Sequence, residues 1–236
     1  MSPKKPSRTV VKAKNPRGLQ KRVNVKTREN RSISSARWLQ RQLNDPYVAA
    51  AKAEGYRSRA AFKLLQMHEE LTLFKSGQKV IDLGAAPGGW TQIAVELVKP
   101  GKTGGRVVAI DCLDMLAIAG AEFICLDFMD NAAPELLKKA IGGKADVVLS
   151  DMAPPTIGHK RTDHLRIMAL AEAAYSFARE VLVPGGAFLS KVFMGGAERD
   201  LLNQLKKDFV KVKHVKPHAS RADSSEMYVV ALGFRG

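Results

Sequence analysis

Lys191 lies inside an apolar run, GAFLSKV at 186–192. Burying an ammonium without a partner is costly, so the position calls for a carboxylate beside it. Asp151 closes another such run, DVVLSD at 146–151, and is the natural candidate if the two runs are neighbouring strands. Two more acids close strand-like runs, Asp111 after RVVAI and Asp127 after FICL. The carboxyl ends of parallel strands form the crevice in which open sheets hold their ligands. Asp111 falls 22 residues past Gly89, close to the spacing at which an acid beyond a glycine-rich turn accepts hydrogen bonds from ribose hydroxyls. Asp127, at the next strand end, could accept from an adenine amino group. Each acid taken singly could cap a helix instead. Three in register at one edge point to an adenosine-containing ligand.

The elements that must position these groups centre on KVIDLGAAPGGW, residues 79–90. Val80, Ile81 and Leu83 form a short apolar run suited to a buried parallel strand. Gly84, Gly88 and Gly89 then let the backbone turn sharply and approach a ligand closely. A helical pattern follows from Trp90. The glycines miss the Gly-x-Gly-x-x-Gly spacing of a dinucleotide fingerprint, which disfavours a dehydrogenase. Strand signals recur at 106–111, 123–127, 146–151 and 186–192, with helical patterns at 133–141 and 165–182 between them. That alternation predicts an α/β fold with a mostly parallel sheet and helices on both faces. Two last strands, 209–215 and 227–234, are joined by a loop too short for a helical crossover, so they should pair antiparallel. Ser58 is placed to cap a helix running from Arg59 to Leu71. Lys63, beside Phe62, has the pattern of a lysine that lays its stem on apolar surface. Glu226 opens the last strand in the pattern of a surface acid.

Length and composition set outer limits. The 236 residues suit one α/β domain with an appendage, and no apolar run approaches the ~18 residues of a membrane span. The two cysteines, Cys112 and Cys125, are expected to be reduced and structural. The five histidines show no paired metal spacing, and no metal site is expected. Net charge is +15, yet residues 1–43 hold thirteen Lys or Arg against one acid, Glu29. Residues 1–35 are expected to form a disordered basic arm for nucleic-acid phosphates, ahead of a single domain at 36–236. A solvated tail and a mitochondrial presequence are the competing readings of the arm.

The stretches RSRAAFKL, VIDLGAAPGGW, SDMAPP, KVF and SRADSSEMYVVA together resemble the FtsJ (RlmE) family of ribosomal RNA uridine 2'-O-methyltransferases. The resemblance runs from about Tyr56 to Gly233. It implies a Rossmann-like methyltransferase fold with a seven-stranded sheet and an antiparallel C-terminal strand. It implies S-adenosylmethionine as cofactor, held against Gly88, Trp90, Asp111, Asp127 and Asp151. The ordered set Lys63, Asp151, Lys191 and Glu226 looks like that family's Lys-Asp-Lys-Glu catalytic tetrad. The implied partner is ribosomal RNA of the large subunit, at a uridine of the peptidyl-transferase A loop, late in subunit assembly. A cytoplasmic monomer is the expectation that goes with it. The tetrad is shared by enzymes acting on transfer RNA and on mRNA caps, so those substrates stay open. A ribosome-assembly factor that binds RNA without turnover is the reading from another class, and an intact tetrad argues against it. A ribose hydroxyl is a weak nucleophile at neutral pH, and its methylation needs in-line approach and help with the departing proton. Lys191 could serve as a neutral base or as a cation steering the hydroxyl.

Overall fold

The computed structural model describes residues 33–155, 157–193, 199–222 and 224–236. The expected arm lies outside the described residues except at its end, where helix α1 (Ile33–Leu43) already includes residues 33–35. Helix α2 (Pro46–Glu54) follows, then α3 (Ala60–Leu71), β1 (Lys79–Leu83), α4 (Gly89–Val98), β2 (Arg106–Asp111) and β3 (Ala121–Cys125). The second half runs α5 (Ala133–Ile141), β4 (Ala145–Ser150), α6 (Lys160–Val181), β5 (Leu182–Phe193), α7 (Arg199–Asp208), β6 (Phe209–Val215) and β7 (Glu226–Phe234). The seven strands form one sheet in the order β3-β2-β1-β4-β5-β7-β6. β1 to β5 are parallel, and β7 pairs antiparallel with both β5 and β6. The expected mostly parallel sheet with an antiparallel C-terminal strand is therefore what the chain forms.

Strand alternation sends successive side chains to opposite faces. Val80, Val107, Val147, Leu149, Leu189 and Tyr228 join one core with α2, α3 and α4. Ile81, Leu83, Val108, Ile110, Val148 and Phe188 join the other with α5, α6 and α7. Lys191 shares its parity with Leu189, so its side chain leaves the sheet toward α3, which carries Lys63. Phe62 anchors that helix; it is 1% exposed and meets the rings of Tyr47 and Tyr56 at centroid distances of 5.5 and 5.7 Å. Burial of one such side chain stabilises by about 1.5–3 kcal/mol.

Local chemistry explains where elements differ from expectation. α2 has an Asp45 cap whose carboxylate accepts from Tyr47 N at 3.0 Å, proline at its first position, and a left-handed Gly55 at its end. α3 starts at Ala60 with Arg59 in the capping position and no side-chain cap. Ser58 is not that cap. Among the described residues its buried hydroxyl has no hydrogen-bond partner, and it turns toward α4, where a Cβ on Gly89 would clash with it. Gly89 thus lets the first turn of α4 pass the start of α3. Cys112 and Cys125 are free, as expected, but both are exposed rather than packed into the core.

Candidate active site

The first half of the sheet builds a cavity of about 380 Å3 at the carboxyl ends of β1, β2 and β4, within the usual range for small-molecule sites. Asp111 and Asp127 supply its carboxylates, while Ile110, Phe128, Met152 and Leu170 give it apolar walls. Asp111 is held rigidly. Its Oδ2 accepts from Ala86 N in the glycine turn at 2.9 Å, and its Oδ1 accepts from Leu113 N at 2.8 Å. A carboxylate offers about four lone-pair sites, so both oxygens can still receive ligand hydroxyls. Asp127 Oδ1 accepts from Met129 N at 2.9 Å, and among the described residues its Oδ2 has no partner. Gly84 closes the floor at φ +76°, where a Cβ would come within 2.8 Å of the Met152 backbone. Two outward-facing carboxylates with apolar surface between them fit a ribose and a purine face. The pair of acceptors suits the hydroxyl and amino donors of an adenosine-containing cofactor.

The second half of the sheet supplies a polar network. Lys191 Nζ donates to Asp151 Oδ1 at 2.8 Å and to the Asp151 carbonyl at 2.7 Å. The lysine is 8% exposed, so the costly burial inferred from its apolar run is compensated by the carboxylate predicted for it. Lys63 Nζ forms an ion pair with Glu226 Oε1 and donates to the Tyr228 hydroxyl at 3.0 Å. That hydroxyl lies 2.9 Å from Asp151 Oδ1 and 3.2 Å from Glu226 Oε1. Tyr228 therefore joins the two Lys–carboxylate pairs, and all four expected residues fall in one network. Burial works to raise the Asp151 carboxyl, but Lys191, Lys63 and the bonds from Lys191 and Tyr228 outweigh it and hold it below the usual carboxylate range. Burial, then the neighbouring Asp151 and Glu226, push the Tyr228 phenol well above its ordinary value, so it stays a neutral donor.

Comparison with known proteins identifies the frame. The FtsJ-like methyltransferase family model matches residues 56–234. The chain belongs to that family. It is 62% identical over 214 residues to the ribosomal RNA large subunit methyltransferase E of Bradyrhizobium diazoefficiens, covering 91% of this chain and 94% of the relative. The protein of the same name from Azorhizobium caulinodans is 58% identical over 215 residues, with 91% and 90% covered. A solved Plasmodium falciparum protein assigned as a ribosomal RNA methyltransferase superposes with a TM-score of 0.66 at 31% identity, covering 77% of this chain and all of that one.

In this FtsJ-like methyltransferase the predicted site residues fall in two groups. Asp111 and Asp127 line the cavity. Lys63, Asp151, Lys191 and Glu226 form the network beside it. Gly88 and Trp90, at the head of α4, do not line the cavity with their side-chain positions. Gly88 has φ +106°, and a Cβ there would meet Ile118 at 2.7 Å and Arg57 at 3.1 Å. The Trp90 ring is 2% exposed, donates from Nε1 to Ala60 O at 2.9 Å, and packs on Tyr228 at 5.5 Å. Its ring therefore packs against the residue that joins the two Lys–carboxylate pairs. Two residues escaped the sequence reading. Tyr228 sits in EMYVVAL as an ordinary strand aromatic; its register opposite Lys191 is what makes it central. Asp82 sits inside the first apolar strand, and a charged residue amid VI-L was the available signal. It is fully buried and accepts from Thr91 Oγ1 at 2.7 Å. Burial, despite the Thr91 bond and helped by Asp151 and Asp111, pushes its carboxyl up to about 7.

Proposed function

We propose that this methyltransferase moves the methyl group of S-adenosylmethionine onto the 2'-oxygen of a ribose in large-subunit ribosomal RNA, at a uridine of the A loop. The observation that carries the reading is the assembly of Lys63, Asp151, Lys191 and Glu226 into one hydrogen-bonded network next to a cavity with two outward-facing carboxylates. The names of its close relatives point to the same RNA. Asp111 and Asp127 would hold the ribose and the base of the cofactor, which when bound supplies an electrophilic methyl on a sulfonium. The protein's own residues do the rest. Asp151, kept ionised, fixes Lys191 Nζ with two acceptors and leaves that nitrogen one further direction for the 2'-oxygen. There it takes the departing proton or stabilises the developing alkoxide. Lys63, tied to Glu226 and Tyr228, holds the target ribose from the side of α3. The O–H bond of the target ribose would break at Lys191 Nζ, and the cofactor held by Asp111 and Asp127 would supply the methyl for the new O–C bond.

The basic arm, carrying most of the net charge, adds phosphate contacts in this reading, and the site of action is the cytoplasm. The test is incubation with methyl-labelled S-adenosylmethionine and purified large subunits, followed by mapping of the labelled ribose. Label in one A-loop uridine is the expected result. Label in transfer RNA alone would replace the substrate, and no transfer to any RNA would overturn the activity.

A further inference from the structure

The segment after β2, residues 112–120, contains no helix or strand, and its large apolar side chains Leu113 and Leu116 are exposed. Its own hydrogen bonds are local: Leu113 N to Asp111 Oδ1, Met115 N to Asp114 Oδ1, and Ala121 N to Ile118 O. A segment with few buried apolar contacts has little local stability of its own. The tie comes from Arg57. Its Nη1 donates to the Leu116 carbonyl and its Nη2 to the Ala117 carbonyl at 2.8 Å. Nη1 also lies 3.4 Å from the Pro87 carbonyl in the glycine turn, a long contact. Among the described residues no other side chain from outside the segment bonds a carbonyl between 113 and 120, and Arg57 has no carboxylate partner.

Arg57 is fixed from behind. Its backbone N donates to Gln92 Oε1 at 2.8 Å, and Gln92 Nε2 donates to the Gly55 carbonyl at 3.0 Å, which pins this stretch onto α4. Gly88 leaves the room the clamp needs, since the Cβ contacts that exclude a larger residue there are with Arg57 and with Ile118 of the same segment. Asp111 stands where β2 gives way to the segment. One of its oxygens is held by Ala86 N of the glycine turn and the other by Leu113 N, so its direction depends on how the segment lies against the turn. Cys112, the first residue of the segment, lines the cavity as well. We propose that Arg57 is a positioning residue of the cofactor site: by clamping Leu116 and Ala117 beside Pro87, it holds Asp111 in the direction that meets the ribose hydroxyls. Its terminal nitrogens are engaged by the protein's own carbonyls rather than by a substrate phosphate. The inference rests on the S-adenosylmethionine reading and deepens it, by adding a residue that shapes the site without touching the cofactor.

The test uses the full chain carrying Arg57→Met, which keeps the stem and removes the fork, and Arg57→Lys, whose single nitrogen lacks the fork geometry. Melting curves check folding. Calorimetry with S-adenosylmethionine and with S-adenosylhomocysteine measures affinity, and hydrogen exchange of residues 112–120 is followed in the cofactor-free protein. For Arg57→Met both dissociation constants should rise roughly tenfold, the scale of one charged hydrogen bond, and by the same factor, because the two ligands share the adenosine end. Arg57→Lys should fall between Arg57→Met and wild type. Exchange across 112–120 should quicken while the melting temperature changes little. In turnover, KM for the cofactor should rise with little change in kcat, and the salt slope of RNA binding should stay as it is. If Arg57→Met does not fold, Gln92→Leu decides: it removes the support behind the clamp and should raise both dissociation constants by less, and unchanged values there would overturn the proposal. Unaltered exchange in 112–120 in Arg57→Met would overturn it too. So would an unchanged cofactor affinity with a shallower RNA salt slope, which would make Arg57 a phosphate contact. A loss confined to S-adenosylmethionine would place the effect at the sulfonium and likewise overturn the clamp. Failure of the wild type to bind either ligand would sink the cofactor reading itself.

Discussion

Two carboxylates lie close together, Asp82 within β1 and Asp151 just past the end of the adjacent parallel strand β4, and their pKa values shift in opposite directions. Asp82, within β1, pairs in register with Leu149 of β4, and Asp151 comes two residues further along that neighbour. Asp82 is fully enclosed, and Asp151 keeps only 17% of its side chain exposed. Burial presses both upward. Among the described residues Asp82 has one hydroxyl donor, no cation, and an Oδ1 with no partner, and it rises to about 7. Asp151 has Lys191, Lys63 and Tyr228 around it and falls below the usual carboxylate range. The sign therefore comes from the neighbours, and the neighbours come from strand parity and order. Asp151 stands next to β5 and its lysine; Asp82, one strand away, faces the apolar flank of α4.

The comparison can be broken most severely at Lys191. Lys191→Met removes the main cation beside Asp151 and should lower single-turnover methyl transfer by at least ~10²-fold, the scale of positioned acid–base assistance. Cofactor affinity by calorimetry should hold. Near wild-type turnover would rule out Lys191 as the essential group.

Asp82→Asn tests the other carboxylate. Below the ordinary carboxylate range Asp82 is protonated whether the chain is folded or not. As pH rises toward 7 the unfolded chain releases that proton while the folded chain keeps it, so stability falls across this window and levels off above about 7. At about 1.4 kcal/mol per pH unit between the two titration points, the component amounts to a few kcal/mol. Melting curves from pH 4 to 8 should show the Asn variant gaining on wild type until about pH 7. A constant offset would mean Asp82 is not raised. Asp151 has the reverse sign: its stabilisation is present above the ordinary carboxylate range and is lost as pH falls below it.

Asp111→Ala should weaken S-adenosylmethionine binding about ten- to a hundredfold, from the loss of a charged hydrogen bond worth roughly 1.5–3 kcal/mol. An unaltered dissociation constant would move the adenosine site elsewhere. The smallest effect is expected from Tyr228→Phe, which leaves the lysines and carboxylates in place but removes their shared hydroxyl. Stability should drop by about 1 kcal/mol. The kcat loss should be much smaller than for Lys191→Met. A loss as large as that of Lys191→Met would make the phenol part of the chemistry itself.

How far these features could be read from sequence follows the range of the interactions involved. Lys191 beside Asp151 was legible because a lysine in an apolar strand demands a carboxylate and α/β order names its neighbour. The antiparallel pairing of the last two strands was legible from a loop too short for a crossover. Lys63 and Glu226 were not legible from local pattern. Each looks like a surface charge until α3 and β7 pack together, and the family resemblance alone singled them out. Trp90 read as part of a ligand turn, yet its ring is claimed by Ala60 and Tyr228, contacts 30 and 138 residues away in the chain. α2 had its signals in Asp45, Pro46 and Gly55, but an alanine-rich helix without a clear apolar stripe gives little periodicity to detect.

Placement of β7 between β5 and β6 has a consequence for the order in which the protein becomes active. Every residue lining the cavity at the carboxyl ends of β1, β2 and β4 comes from positions 84–170, whereas Glu226 and Tyr228 belong to the last strand. During synthesis the cavity can close while β5 is still an open edge and Lys191 lacks the residue that will face it. Insertion of a single strand then completes the sheet, covers that edge and joins the two Lys–carboxylate pairs in one step. A nascent chain halted before residue 226 would hold the cavity's lining residues without the complete Lys–carboxylate network, so in this fold the cavity can precede the network.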